Sequence, residues 1–135
     1  MNILDENIIN SQHQQLLAAS IRGRRIGHEI GQQGMDDKDR IIRLLHSLRQ
    51  SNFFTHDSDF YNRRLRHLRY CIVHLRVEEN EAAEYIHRFL RHPDFKTYAK
   101  RLGKVVQVRP TVIRYWQLND PDEHLVNWPR LHRRK

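Results

Sequence analysis

Apolar positions along the chain fall in short clusters whose spacing alternates between the period of a strand and that of a helix. Met1 to Leu4 is a short apolar lead-in that reads as a strand ending at Asp5. Ile8 to Ile21 follows as a helix, with Ile9, Leu16, Leu17 and Ala18 spaced as its apolar face. Gly23, Gly27, Gly31 and Gly34 then break the pattern, leaving room for one short strand near Arg25 to Ile30 and a turn into Asp36-Asp37-Lys38-Asp39. Ile41, Leu44, Leu45 and Leu48 recur at i, i+3, i+4 and i+7 and predict an amphipathic helix ending near Gln50.

Asn52-Phe53-Phe54-Thr55-His56 is aromatic and strand-favouring and stops at Asp57-Ser58-Asp59; Tyr70 to Val77, rich in Val, Ile and Leu, is the clearest strand. Glu78, Glu79 and Glu81 supply an acidic first turn for a helix with face Ala82, Ile86, Phe89 and Leu90, which Pro93 terminates. Phe95, Tyr98, Ala99 and Leu102 mark a further short helix closed by Gly103. Val105 to Val108 and Thr111 to Trp116 read as strand interrupted by Pro110. Strands alternating with helices predict a three-layer α/β/α sandwich with a mainly parallel central sheet and right-handed crossovers. Residues 1–117 form the expected single domain and 118–135 a basic C-terminal tail.

Composition changes this picture in one respect. The chain of 135 residues carries 24 Lys and Arg against 16 Asp and Glu, a formal charge of +8 that favours a polyanionic partner. The excess is uneven: 7 basic and 8 acidic side chains precede residue 61, and 17 and 8 follow it. The early acids therefore need their own explanation. No apolar run approaches the roughly 20 residues that span a bilayer, and no secretory leader opens the chain, so a soluble, cytoplasmic protein with no membrane partner is expected. The lone cysteine, Cys71, lies in an apolar run and reads as a core residue.

In a parallel sheet, ligands gather at the carboxyl ends of strands. Three acidic groups fall at strand ends or helix starts: Asp5-Glu6, Asp36-Asp37-Asp39, and Asp57 with Asp59. Each has an ordinary reading as solvated charge, helix cap or turn. On adjacent strands they would instead converge, and their repulsion would favour a hard divalent cation held by carboxylate and water oxygens.

The motifs Asp5-Glu6-Asn7 after a short strand, Gly34-Met35-Asp36-Asp37 before an Ile/Leu helix, and Thr55-His56-Asp57-Ser58-Asp59-Phe60 resemble, in order and spacing, those of the small PIN-like proteins, the stand-alone relatives of PIN-domain ribonucleases. The resemblance covers roughly residues 1–90. It implies a PIN-like α/β fold, Mg²⁺ or Mn²⁺ as cofactor, and metal-dependent hydrolysis of RNA phosphodiesters. It implies catalytic, metal-binding roles for Asp5, Asp37, Asp57 and Asp59, with Asp36 and Asp39 competing for the place of Asp37 and Asp59 alternatively positioning Asp57. Many members are toxins of toxin–antitoxin pairs, so a cognate antitoxin and a homodimer are further expected partners. The alternative is a noncatalytic nucleic-acid-binding or protein-interaction module on the same scaffold.

Arg63, Arg64, Arg66 and Arg69 follow directly after these acids and are candidates for phosphate contact; the other reading is a solvated face. Ten histidines form no recognised metal motif. His56 adjoins Asp57, but strand alternation sends neighbouring side chains to opposite faces. Tyr115 and Trp116 are read as core or interface before base-stacking residues.

Overall fold

The computed structural model describes residues 1–27 and 38–130. Its elements are β1 (Asn2–Leu4), α1 (Asn10–Ala18), β2 (Arg24–Arg25), α2 (Lys38–Ser47), β3 (Ser51–Thr55), β4 (Tyr70–Leu75), α3 (Ala82–Arg91), α4 (Tyr98–Arg101), β5 (Lys104–Val108), β6 (Val112–Gln117) and β7 (Glu123–Asn127). Single 3-10 turns occupy Ser58–Phe60, Arg63–Leu65 and Glu79–Glu81. The seven strands form one mixed sheet in the order β2-β1-β3-β4-β5-β6-β7. The pairings from β2 to β5 are parallel; β6 and β7 add antiparallel.

Strand alternation sorts the core into two clusters on opposite faces. Leu4, Phe54, Cys71, Val73, Val106 and Val108 pack with Leu16 of α1 and with Ala82, Tyr85, Ile86 and Phe89 of α3. Ile3, Phe53, Ile72 and Val105 pack on the other side with Ile41 and Leu45 of α2 and with Phe60. The sheet is thus covered by helices on both faces, as its near-continuous apolar strands require. Cys71 lies wholly inside the first cluster, where burial pushes its thiol up to about 12.

Three expectations change. The inward face of α1 is Gln12, His13 and Leu16, while Ile9, Leu17 and Ala18 are exposed. Gln12 turns inward because its Oε1 accepts the free backbone N–H of Ala83 at 2.9 Å, supplying an acceptor to the first turn of α3. The stretch after Pro110 is a hairpin partner of β5, since a Pro in the turn between two antiparallel strands leaves no ladder donor missing. Glu123–Asn127, assigned to a tail, is the edge strand β7. Its alternation of exposed and half-buried positions leaves few apolar residues to announce it. Gly103, with φ +86°, makes the turn into β5; a Cβ there would stand 2.9 Å from the Gln117 side chain.

Candidate functional site

The chain leaves β1 through α1 to reach β2 on one side, then crosses through α2 on the opposite face to reach β3 on the other side. The carboxyl ends of β1 and β3 therefore flank a topological switch point, where helices depart to opposite faces and leave a crevice. Asp5 follows β1 and Thr55 ends β3, so the two meet there by register: Leu4 is opposite Phe54, and the Asp5 N–H donates to the Phe54 carbonyl at 3.0 Å.

Thr55 joins the two acidic motifs. Its hydroxyl donates to Asp5 Oδ2 at 2.7 Å and accepts the backbone N–H of Asp57 at 3.0 Å. Asn7 completes the knot: its Nδ2 lies 3.3 Å from Asp5 Oδ2 and 3.2 Å from Thr55 Oγ1, and its Oδ1 accepts the His56 N–H at 3.1 Å. Asp5 Oδ1 accepts the Glu6 N–H at 2.8 Å. Asp57 caps the following 3-10 turn, its Oδ1 accepting the Asp59 N–H at 2.9 Å, and Asp59 itself is exposed.

Asp5 is only 7% exposed. Burial first, and then the charges of Asp57 and Glu6, hold its carboxyl above the usual value, against the bonds from Thr55 and Glu6. Two carboxylates at one half-dry strand edge, with an unfavourable ionised form, are a donor set that a hard cation would neutralise. Of the other acids, Asp39 sits in the first turn of α2; Asp36 and Asp37 lie outside the described residues. Among the described residues no three His, Cys, Asp or Glu side chains are grouped to hold a cation.

A polar row continues across the sheet from this knot. Thr55 is opposite His74 and His74 opposite Gln107, which in turn faces Arg114 on β6. The Arg109 guanidinium only donates, so its 2.7 Å contact makes Gln107 Oε1 the acceptor and turns Gln107 Nε2 toward His74 Nδ1 at 3.1 Å. His74 is therefore neutral with its proton on Nε2, in agreement with the lowering of its pKa by burial. His56 donates from Nδ1 to the Leu75 carbonyl at 3.0 Å, and its buried Nε2 has no partner among the described residues.

Three arginines close the row. The Arg76 backbone N–H donates to the Val108 carbonyl at 2.8 Å, Arg109 follows β5 and Arg114 is opposite Gln107, so register sets the three at the carboxyl edge, and burial followed by the charges of Arg76 and Arg114 lowers the pKa of Arg109. Arg114 reaches Glu123 at 3.8 Å, and Arg76 lines a cleft of about 470 Å³ with His56, His74 and Arg130 and, of opposite sign, with Glu78, Glu79 and Glu81. None of these arginines was singled out by sequence, because they stand far apart along the chain and only strand register gathers them.

The arginines that sequence did single out are placed differently. Arg66 Nη1 donates to the carbonyls of Gln117 and Asp120 at 2.9 and 2.7 Å, tying the 61–69 arm to the β6–β7 hairpin. Arg69 Nη1 donates to His46 O near the end of α2 at 2.8 Å, and Arg63 lies over the Trp116 ring at 5.7 Å. Arg64 is exposed. Trp116 thus serves the arm, and Tyr115 packs edge-on against Phe95. Thr55 and Asn7 were legible only as letters within motifs; their roles are hydrogen bonds between distant segments.

No protein-family model matches the chain, and no match is found among curated proteins or solved structures.

Proposed function

We propose that the chain is a cytoplasmic, divalent-metal-dependent endoribonuclease of PIN-like type, acting as the toxin of a toxin–antitoxin pair. The observation that carries this reading is the Thr55 hydroxyl, which binds Asp5 and the Asp57 backbone at once and so brings two motif acids to one switch-point edge. Asp5 and Asp57 would hold Mg²⁺ or Mn²⁺, with Asp37 expected as a further ligand and Asp59 beside Asp57. When bound, the ion supplies an activated water and neutralises charge developing on the phosphate.

The remaining work falls to the protein's own groups. Arg76, Arg109 and Arg114 offer positive charge on the same edge to bind and orient the phosphate chain. His74, kept neutral by burial and by its contact with Gln107, lines the same cleft without adding charge. The knot of Asn7 and Thr55 fixes Asp5 before substrate arrives, so no reorganisation is needed at the moment of reaction.

A second reading has its own support. Three donors already engage the Asp5 carboxylate, which suits a structural brace and a noncatalytic nucleic-acid-binding or protein-interaction module. The deciding experiment is cleavage of single-stranded RNA with Mg²⁺ or Mn²⁺ by the wild type, Asp5→Asn and Asp57→Asn. A drop of at least about a hundredfold in both folded variants is expected for direct metal ligands. Equal activity in all three, or none in any, leaves the binding module.

A further inference from the structure

A second cleft, of about 410 Å³, lies over the far end of the sheet and is lined by His87, Arg88, Arg91, His92, Trp128 and the strap at Asn127 and Pro129. Its centre is a guanidinium held unusually firmly. Arg88 lies 4.3 Å over the Trp128 ring and 5.3 Å over Tyr85, and its Nη2 donates to the Pro129 carbonyl at 2.6 Å. Trp128 is fixed in turn, its Nε1 donating to the Arg109 carbonyl at 2.9 Å. Yet Arg88 Nη1 is buried with no partner among the described residues. A buried N–H of a charged group left without an acceptor costs more than about 1–3 kcal/mol in general, so a pre-positioned guanidinium of this kind is suited to an oxyanion.

The surroundings have the same sign. Arg91 is exposed beside it, and His92 Nδ1 accepts the Asp94 N–H at 3.1 Å, which leaves Nε2 as a donor. No acid is among the described residues lining the cleft; Asp94 approaches His92 only at 4.0 Å. Pro129 lines this cleft and the next residue, Arg130, lines the cleft of His56, His74 and Arg76, so one short strap separates them. We infer that the Arg88–Trp128 cleft is a distal phosphate subsite for the single-stranded nucleic acid whose reacting segment lies at the Asp5–Asp57 edge. The inference rests on the nuclease reading for the identity of its ligand.

The test is binding of a labelled oligouridylate long enough to span both clefts, and of uridylyl dinucleotide, in EDTA to prevent cleavage. Arg91→Gln and His87→Gln leave the stacked guanidinium in place, and Arg88→Gln removes it. The oligouridylate is expected to bind about tenfold more weakly to Arg88→Gln and Arg91→Gln and measurably more weakly to His87→Gln, with its salt slope lower by about 0.7 for each phosphate no longer neutralised. Dinucleotide affinity is expected to be unchanged. Unaltered oligouridylate affinity in the Arg91→Gln and His87→Gln variants overturns the subsite, as does capture of polyglutamate that those variants abolish while oligouridylate binding stays the same. A parallel cleavage assay separates the two readings: weakened binding without metal-dependent cleavage keeps the subsite and rejects the nuclease, and cleavage with unaltered binding does the reverse.

Discussion

Two basic regions of this molecule invert what their sequences advertise. The arm at 61–69 holds four arginines within seven residues, Arg63 to Arg69, yet Arg66 and Arg69 spend their donors on backbone carbonyls and Arg63 covers Trp116. Arg76, Arg109 and Arg114 are scattered from the end of β4 through the β5–β6 turn to β6, yet they gather at the carboxyl ends of β4 and β5. A dense basic run beside the ends of α2 and β6 is available to satisfy the carbonyls that helix and strand ends leave unpaired. Arginines placed by strand register have their neighbours chosen for them, and their charges accumulate at one edge of the sheet.

The contrast predicts opposite phenotypes. The largest effect on stability is expected for Arg66→Ala, which leaves the Gln117 and Asp120 carbonyls without their charged donor and should cost about 2–3 kcal/mol, read from urea unfolding. Nucleic-acid affinity of the folded fraction should scarcely change; an equal fall in affinity would put the arm in the binding surface after all. Thr55→Val comes next, at about 2 kcal/mol, because it strips the hydroxyl from a buried carboxylate and from the Asp57 N–H. It should also lower RNA cleavage, whereas Arg66→Ala should not.

Arg76→Gln should reverse the pattern. Arg76 is exposed, so unfolding should move by less than about 0.5 kcal/mol, while the salt slope of single-stranded RNA binding falls by about 0.7. A destabilisation like that of Arg66→Ala would erase the distinction between the two regions. The smallest effect is in pH dependence. Folding keeps His74 neutral, so the stability tied to it is full above its ordinary value of 6.5 and is lost as pH falls toward its lower folded value. In EDTA, the stability of His74→Gln should fall less than that of the wild type over that interval, by urea titration at each pH.

Much of the framework was legible along the chain. The i, i+3, i+4, i+7 spacing from Ile41 identified α2, and the apolar runs identified β3 and β4 within one or two residues. These elements announce themselves because their packing partners lie on uniformly apolar faces. The face of α1 was misread because Gln12 is buried to accept a hydrogen bond from Ala83, a need created by a helix 71 positions away. β7 was missed because an edge strand half open to water needs little apolar surface.

The candidate site divides in the same way. Asp5 and Asp57 were legible among the acids that close strand-like runs, because local pattern marks where an apolar run ends. What joins them, the Thr55 hydroxyl and the Asn7 amide, depends on β1 lying beside β3, and that adjacency is set by parallel pairing through crossover helices. Spacing and composition therefore identified most of the elements, the positions of the acids and the net positive charge of the chain, since these are local patterns or sums along it. The arrangement of the sheet decided which arginines bind backbone carbonyls and which gather at the carboxyl ends of β4 and β5. A side chain's charge is local, but what it is paired with depends on contacts made by the whole sheet.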